Sequence, residues 1–453
     1  LEYSAFEEAT VTICTFVIQN QIKNTEGIYI RLSELKGPQD LYVKRASIEE
    51  VDYKYKTYSN NFKILPSTPI AYWLNGKLVT PFKNKNIGSK ITSKAGIVSG
   101  NDNYFLKLWH EVEYNSITFD AEKFYQDRIN FKWVPINKGG KYRKYYGNYE
   151  YVLKLDDLWS PEKTNVSVRR GDPDYYFKKA ITWSYVTSGN PSFRISKNKV
   201  FATAAPSIYI HEDTYFEYIL AFLNSNIARF YLDILNPTLN LNVTNVSNLP
   251  LIVNHNELDK VVILTRENIK ISKNDWDSFE TSWDFETHPF INYNSINKLG
   301  DIFRKWKELT DKRFQRVMCN EIELNKIFIK IYGLDNQMSS EVTEEDITIN
   351  KANSLRDAIS FLSFFIGCLF GRYSLDNKGI VFAGGEFDES KYKTFKPNPD
   401  GLILLTEEHY FDKDIIVRLR EFLSVAFSPH TVDENMRWLA ESLKMKKNES
   451  PEE

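Results

Sequence analysis

The spacing of apolar positions changes along the chain, and the changes mark out three regions. Residues 9–19, ATVTICTFVIQ, form a β-branched, nearly continuous apolar run, the pattern of a strand covered on both faces. The polar stretch NQIKNTE and then GIYIRL follow, which predicts a hairpin. A buried hairpin at this place needs a sheet to complete, so residues 1–55 are expected to be the end of an upstream domain and a linker. The two prolines of NFKILPSTPIAYWLN (61–75) mark the boundary.

Residues 56–265 hold short β-like runs rich in Tyr, Trp, Gly and Asn, with one stretch of helical spacing at 212–235. Near its end, ILNPTLNLNVTNVSNLPLIV (234–253) alternates Leu239, Leu241 and Val243 with Asn240, Asn242 and Thr244, which predicts a helix stop at Asn236-Pro237 leading into a strand. From 266 to 453 the period is helical. Residues 295–334 could hold a helix of about 30 residues, roughly 45 Å long, with Gly333 as its stop. A mostly buried helix is expected from 354 to near Gly371, and two more at 412–428 and 431–445. The last of these has Thr431 and Glu434 in capping-box spacing. FAGGEF (382–387) reads as a turn between helices, and the terminal KKNESPEE as frayed. There is no internal repeat.

Composition adds limits. With 453 residues, 42% hydrophobic and 26% charged, the chain can build two or three cores, and no run of about 18 apolar residues suggests a membrane span. Its first residues carry neither a basic segment nor a small-residue cleavage site, so a cytoplasmic location is expected. Cys14, Cys319 and Cys368 stand apart, which argues against a zinc site or a disulfide framework. The net charge of −2 hides a local imbalance: residues 131–200 have 14 Lys and Arg against 6 Asp and Glu, and residues 333–453 have 14 against 22. A local basic excess of this kind is the electrostatic footprint of a phosphate binder.

Catalytic motifs are missing. An adenine methyltransferase holds its extruded base with an Asn-Pro-Pro-aromatic loop, whereas here Asn236-Pro237 is followed by Thr238 and Leu239, which cannot stack on a base. No Gly-x-Gly loop follows a strand, and the histidines His110, His211, His255, His288, His409 and His430 form no metal-binding or triad spacing. No catalytic, cofactor-binding or metal-binding residue is therefore assigned.

The strongest positive signal is basic and aromatic. NKGGKYRKYYGNYEY (137–151) sets Lys138, Lys141, Arg143 and Lys144 among tyrosines that include Tyr142 and Tyr145, beside the pair Gly139-Gly140. Further on, residues 166–196 bring Arg169, Arg170, Lys178 and Lys179, a turn at Ser188-Gly189-Asn190, and Arg194. Such a pattern suits loops that follow phosphates and touch base edges. These thirteen positions are the candidate DNA-binding residues: Ser188 and Asn190 from the turn, Tyr142 and Tyr145 for stacking, and the nine cations.

Several stretches together resemble a known family. IVSGNDNYFLKLWHEVEY (97–114), KYRKYYGNYEYVL (141–153), ITWSYVTSGNPSFRIS (181–196), the stretch 219–252, WDSFETSWDFETHPFI (276–291) and FGRYSLDNKGIVFAGG (370–385) look like the C-terminal two thirds of the PglX-type adenine-specific DNA methyltransferases of BREX phage-defence systems. In that family an N-terminal part carries the S-adenosylmethionine loop and an Asn-Pro-Pro-Tyr motif, neither of which is present here. The resemblance implies an α+β fold: terminal strands of an α/β methyltransferase sheet (1–55), a mixed target-recognition domain similar to TaqI-like specificity regions (56–265), and a mostly α-helical C-terminal domain (266–453). In such regions a helix with FLNS, a strand and NLP form scaffold, so Asn224, Asn236 and Pro250 are expected to be structural.

The implied function is recognition of double-stranded DNA, positioning an adenine for a catalytic domain outside this sequence, with no cofactor bound by this chain. A second reading is an interaction scaffold for other BREX subunits or a phage protein that mimics DNA. The third is the specificity half of a type IIG restriction-modification enzyme, against which stands the absence of a nuclease motif.

Overall fold

The computed structural model describes every residue except 1–13, 21–24, 34, 75, 128–130, 188, 237, 294, 407–410, 413, 447–448 and 453. The expected hairpin is not what forms near its beginning. Residues 9–13 lie outside the described part, while 14–20 are not a strand and leave Phe16, Val17 and Ile18 exposed. Strand β1 (Glu26–Ile30) instead pairs antiparallel with β2 (Lys54–Tyr58), across helix α1 (Gln39–Ile48). An apolar run becomes a strand only where a partner takes its hydrogen bonds, and GIYIRL finds that partner downstream. The ribbon is held by rings: Tyr29 stacks on Tyr72 at 4.7 Å, and the Arg31 guanidinium lies 4.3 Å over Trp73.

Short helices α2 (Gly76–Val79), α3 (Asp102–Phe105) and α4 (Ala121–Gln126) accompany two four-stranded sheets. One, ordered β3 (Ile91–Lys94), β10 (Ser207–Ile210), β7 (Ala180–Thr182), β8 (Arg194–Ser196), is antiparallel throughout. The other is ordered β4 (Leu106–Leu108), β6 (Tyr151–Leu153), β5 (Val134–Asn137), β9 (Val200–Phe201), with the last pair parallel. Their strands are two to four residues long, too short for stability without packing. The first sheet gains it from helices α5 (Phe216–Leu223) and α6 (Asn226–Leu235): Ile181, Trp183 and Ile208 share one core with Phe222, Tyr231 and Leu235.

The 212–235 stretch thus yields two helices, broken by residues that mend the break. The Asn224 carboxamide donates to Phe193 O and accepts from Phe193 N–H, imitating a strand neighbour, and Ser225 Oγ accepts from Ala228 N–H as the cap of α6. The alternation after Asn236 does not become a strand. Only Asn240 makes a bridge, to Val186, and a short helix, α7 (Val243–Ser247), begins at once. Asn242 and Asn245 exchange side-chain and backbone bonds there, so their polarity serves a helix start.

Helix α8 (His255–Trp276) runs straight through the expected division between 265 and 266. The long helix predicted over 295–334 forms as α9 (Leu299–Tyr332), 34 residues ended by Gly333 in the left-handed region at φ 66°. It serves two cores. Leu324, Phe328 and Tyr332 pack with α5 and α6, while Leu299, Ile302 and Trp306 pack with α10 (Ser354–Leu369), α11 (Ile415–Ala426) and α12 (Val432–Ser442). The expected capping box at α12 is absent: Thr431 Oγ donates to Asn297 O at 3.0 Å, and Glu434 pairs with Lys298 at 2.8 Å. Tertiary partners have taken both groups. Among the described residues no helix is long and apolar enough to cross a membrane.

His288 sits wholly inside the second core, 5.3 Å from the Phe361 ring, with Nδ1 accepting from Phe290 N–H at 3.2 Å. Burial pushes its pKa down to about 3, against about 6.5 in an unfolded chain. A depressed folded pKa means that the unfolded state binds more protons below about 6.5, so stability is fully present above that pH and falls as pH drops toward 3. Urea titrations at pH 7 and pH 5 should therefore give a smaller pH-dependent loss for His288→Asn than for the parent.

Candidate nucleic-acid interface

The basic and aromatic loop of 138–149 turns out to be two-sided. Gly139, Gly140 and Gly147 have positive φ, as do Tyr145 and Asn148, so the loop coils on itself. At Gly147 a Cβ would lie 2.4 Å from Arg143 Nε, which restricts the position to glycine. That close approach lets Arg143 turn inward. Its Nη2 donates to Asp275 at 2.6 Å, its Nε to Tyr146 O at 2.9 Å, and its guanidinium lies 4.9 Å from the Trp276 ring. Asp275, on α8, also receives both Asn350 donors, the backbone N–H and the side-chain amide.

Lys144 is buried too, with Nζ 2.7 Å from Glu321 on α9 and its backbone N–H donating to Thr348. Burial opposes the ammonium charge, yet the Glu321 carboxylate more than offsets it, and the Lys144 pKa is raised. Tyr145 is buried with its phenol pushed far up by desolvation, and Tyr142 is half-buried, also raised by burial. Arg194, on β8, is 1% exposed, its Nε and Nη1 meet no hydrogen-bond partner among the described residues, and burial pulls its pKa down to about 10. Arg143 and Lys144 bind the chain to itself. Arg143, Lys144, Tyr145 and Arg194 were expected at a DNA surface, and instead the interior holds them.

The remaining candidates lie nearer solvent. Lys138 is paired with Asp102, Lys179 with Asp213 at 2.7 Å, and Asn190 donates to Asp346 at 3.4 Å. Arg170 is half-buried, its Nε donating to Leu158 O at 2.7 Å. Ser188 lies outside the described residues. Three cations are exposed and make no ion pair among the described residues: Lys141, Arg169 and Lys178, the last with Nζ 4.8 Å over the Tyr175 ring. Arg169 is placed by a bridge to Val98. Lys141 is placed by its buried neighbours, and its carbonyl accepts from the Asn148 amide at 2.8 Å.

Asp275, Glu321, Thr348 and Asn350, which decide how the loop sits, were not expected from sequence. Asp275, Glu321 and Thr348 stand 132 to 204 positions away from the loop residues they meet, and Asn350 acts through Asp275, so no spacing pattern relates them. Among the described residues no group of three or more His, Cys, Asp or Glu could hold a metal ion.

Breaking the Lys144 pair should be costly because it leaves a buried charge alone. Lys144→Ala is expected to lose about 3–5 kcal/mol of unfolding free energy, and Lys144→Met with Glu321→Met to recover most of it. Lys141→Ala should stay within about 0.5 kcal/mol of the parent. Urea denaturation followed by tryptophan fluorescence measures all three.

No protein-family model matches the chain. Comparison with curated proteins does find relatives. The adenine-specific methyltransferase PglX of Lacticaseibacillus casei (strain Zhang) is 36% identical over 474 aligned positions, which take in 99% of this chain and 39% of that protein. The adenine-specific methyltransferase BrxX of Escherichia coli O9:H4 (strain HS) is 31% identical over 97% of this chain and 38% of its own length. The chain therefore spans about two fifths of the relatives it matches. By sequence it is a partial region of the PglX and BrxX type of adenine-specific methyltransferase.

Proposed function

We propose that this chain is the DNA-recognition portion of a site-specific adenine methyltransferase of a BREX anti-phage system. It would bind duplex DNA and position an adenine for a catalytic domain that uses S-adenosylmethionine. The observation that carries the reading is the alignment: almost the whole chain matches adenine-specific methyltransferases, over a stretch that holds neither a cofactor loop nor an Asn-Pro-Pro-aromatic motif. The exposed cations support the DNA half. Lys141, Arg169 and Lys178 are exposed, make no ion pair among the described residues and are carried by the mixed sheet unit, as suits phosphate contacts. Other subunits of the defence system, or a phage protein imitating the phosphate array, would meet the same cations.

The chain by itself is expected neither to methylate DNA nor to bind S-adenosylmethionine. Calorimetry with the purified chain decides the point, and micromolar cofactor binding would overturn it. Duplex affinity measured against salt concentration tests the cations. Each phosphate contact removed lowers the log-log slope by about 0.9, so the triple variant Lys141→Ala, Arg169→Ala, Lys178→Ala should lose about 2.7 from the slope with its fold intact. A triple variant with the affinity and slope of the parent would remove these residues from the interface.

A further inference from the structure

Two segments far apart in sequence emerge side by side from the first core. Trp183 and Leu241 are wholly buried, joined by a bond from the Trp183 indole N–H to Leu241 O at 2.9 Å. Three residues onward from Trp183, and two before Leu241, the side chains are in solvent: Val186 is 62% exposed and Leu239 61%. Between these points the segments form a short antiparallel ribbon. Thr187 N–H donates to Leu239 O at 3.0 Å, Leu241 N–H to Tyr185 O at 2.8 Å, and Val186 stands opposite Asn240.

Three properties of this ribbon point to a ligand that offers dipoles and methyl groups rather than charge. Residues 180–193 and 234–254 contain no Asp, Glu, Lys or Arg, in a chain with 26% charged residues. Directly opposite residues of an antiparallel pair share a face, so the exposed Asn240 and Val186 stand together on one side. The Asn240 carboxamide makes no internal hydrogen bond among the described residues, and offers one donor group beside one acceptor. Finally, the base of the ribbon is tied to the loop that carries Lys141: Ser184 Oγ donates to Gly140 O at 2.9 Å.

The major groove of B-DNA admits a two-stranded β-ribbon, and there adenine presents an acceptor at N7 and a donor at N6, while thymine presents its 5-methyl group. We infer that this ribbon is a major-groove reading element selective for an A·T pair, with Asn240 bonded to the adenine edge, Val186 against the thymine methyl, and Lys141 on the flanking phosphate. The inference rests on the DNA-recognition reading and goes beyond it. Buried side chains fix the ribbon at its root, so the reading groups are held in place before DNA arrives. An uncharged ribbon would add sequence preference without adding to the salt-dependent attraction.

The test uses the full chain and a pool of short duplexes randomised over their central base pairs. Sequencing the bound fraction should show enrichment that includes at least one A·T position. Asn240→Ala should relax the preference at that position by about fivefold to a hundredfold, with the salt slope unchanged. Val186→Ala should abolish discrimination between thymine and deoxyuridine in the enriched site. Both positions are exposed, so thermal melts of the variants should match the parent. Parent-like enrichment by both variants would overturn the ribbon's role while leaving DNA recognition in place. A parent chain with no duplex binding would instead remove the DNA-recognition reading, and this inference with it.

Discussion

Lys144 and Glu321 form a buried ion pair between residues 177 positions apart, and it pins loop 138–149 of the sheet region to helix α9. Two charges taken out of water are costly unless each satisfies the other. Once loop 138–149 inserts Lys144 beside Glu321 and Arg143 beside Asp275, withdrawing the loop would strand two carboxylates, Asp275 and Glu321, in the interior. The loop can therefore occupy only one seat. The register of β8 against residue 145, through the bridge from Tyr145 to Arg194, is fixed along with it.

Helix α9 extends the same constraint across the molecule. One end contributes Phe328 and Tyr332 to the core beneath the sheets, the other contributes Trp306 to the core of α10–α12, and Glu321 lies between. Trp306 itself donates to the buried Asp357, so even the far core has a polar anchor. At about 1.5 Å per residue, the helix is a strut some 50 Å long. With α8 beside it, bound through Asn320 to Asn268 and Arg316 to Glu267, the division between the sheet region and the helical region runs through shared elements rather than a linker. The exposed cations and the 184–187 and 239–241 ribbon are thus carried on one connected frame.

The resemblance that the sequence suggested agrees with the relatives found, and an α+β fold ending in helices agrees with the structure. Particular elements explain the rest. The helix α9 and its stop at Gly333 were legible because a 3.6-residue period and a left-handed glycine are local properties. The hairpin expected at 9–32 was not, because a strand's partner is a tertiary fact, and β1 took β2. Likewise Thr431 and Glu434 had the right spacing for a capping box, but Asn297 and Lys298 competed for them and won.

The sequence alone determined that the C-terminal part from 266 onward would be mostly helical, that residues 131–200 were basic, and that no methyl-transfer loop lay within the chain. Only the tertiary structure decided what that basic charge does. Lys141, Arg143 and Lys144 lie within four consecutive positions and carry the same charge, yet one faces water and two are sealed against carboxylates of α8 and α9. Composition counts charges without regard to their partners. Whether a cation is free to meet a phosphate depends on whether the fold has already brought it a carboxylate, and those carboxylates lie more than a hundred residues away along the chain.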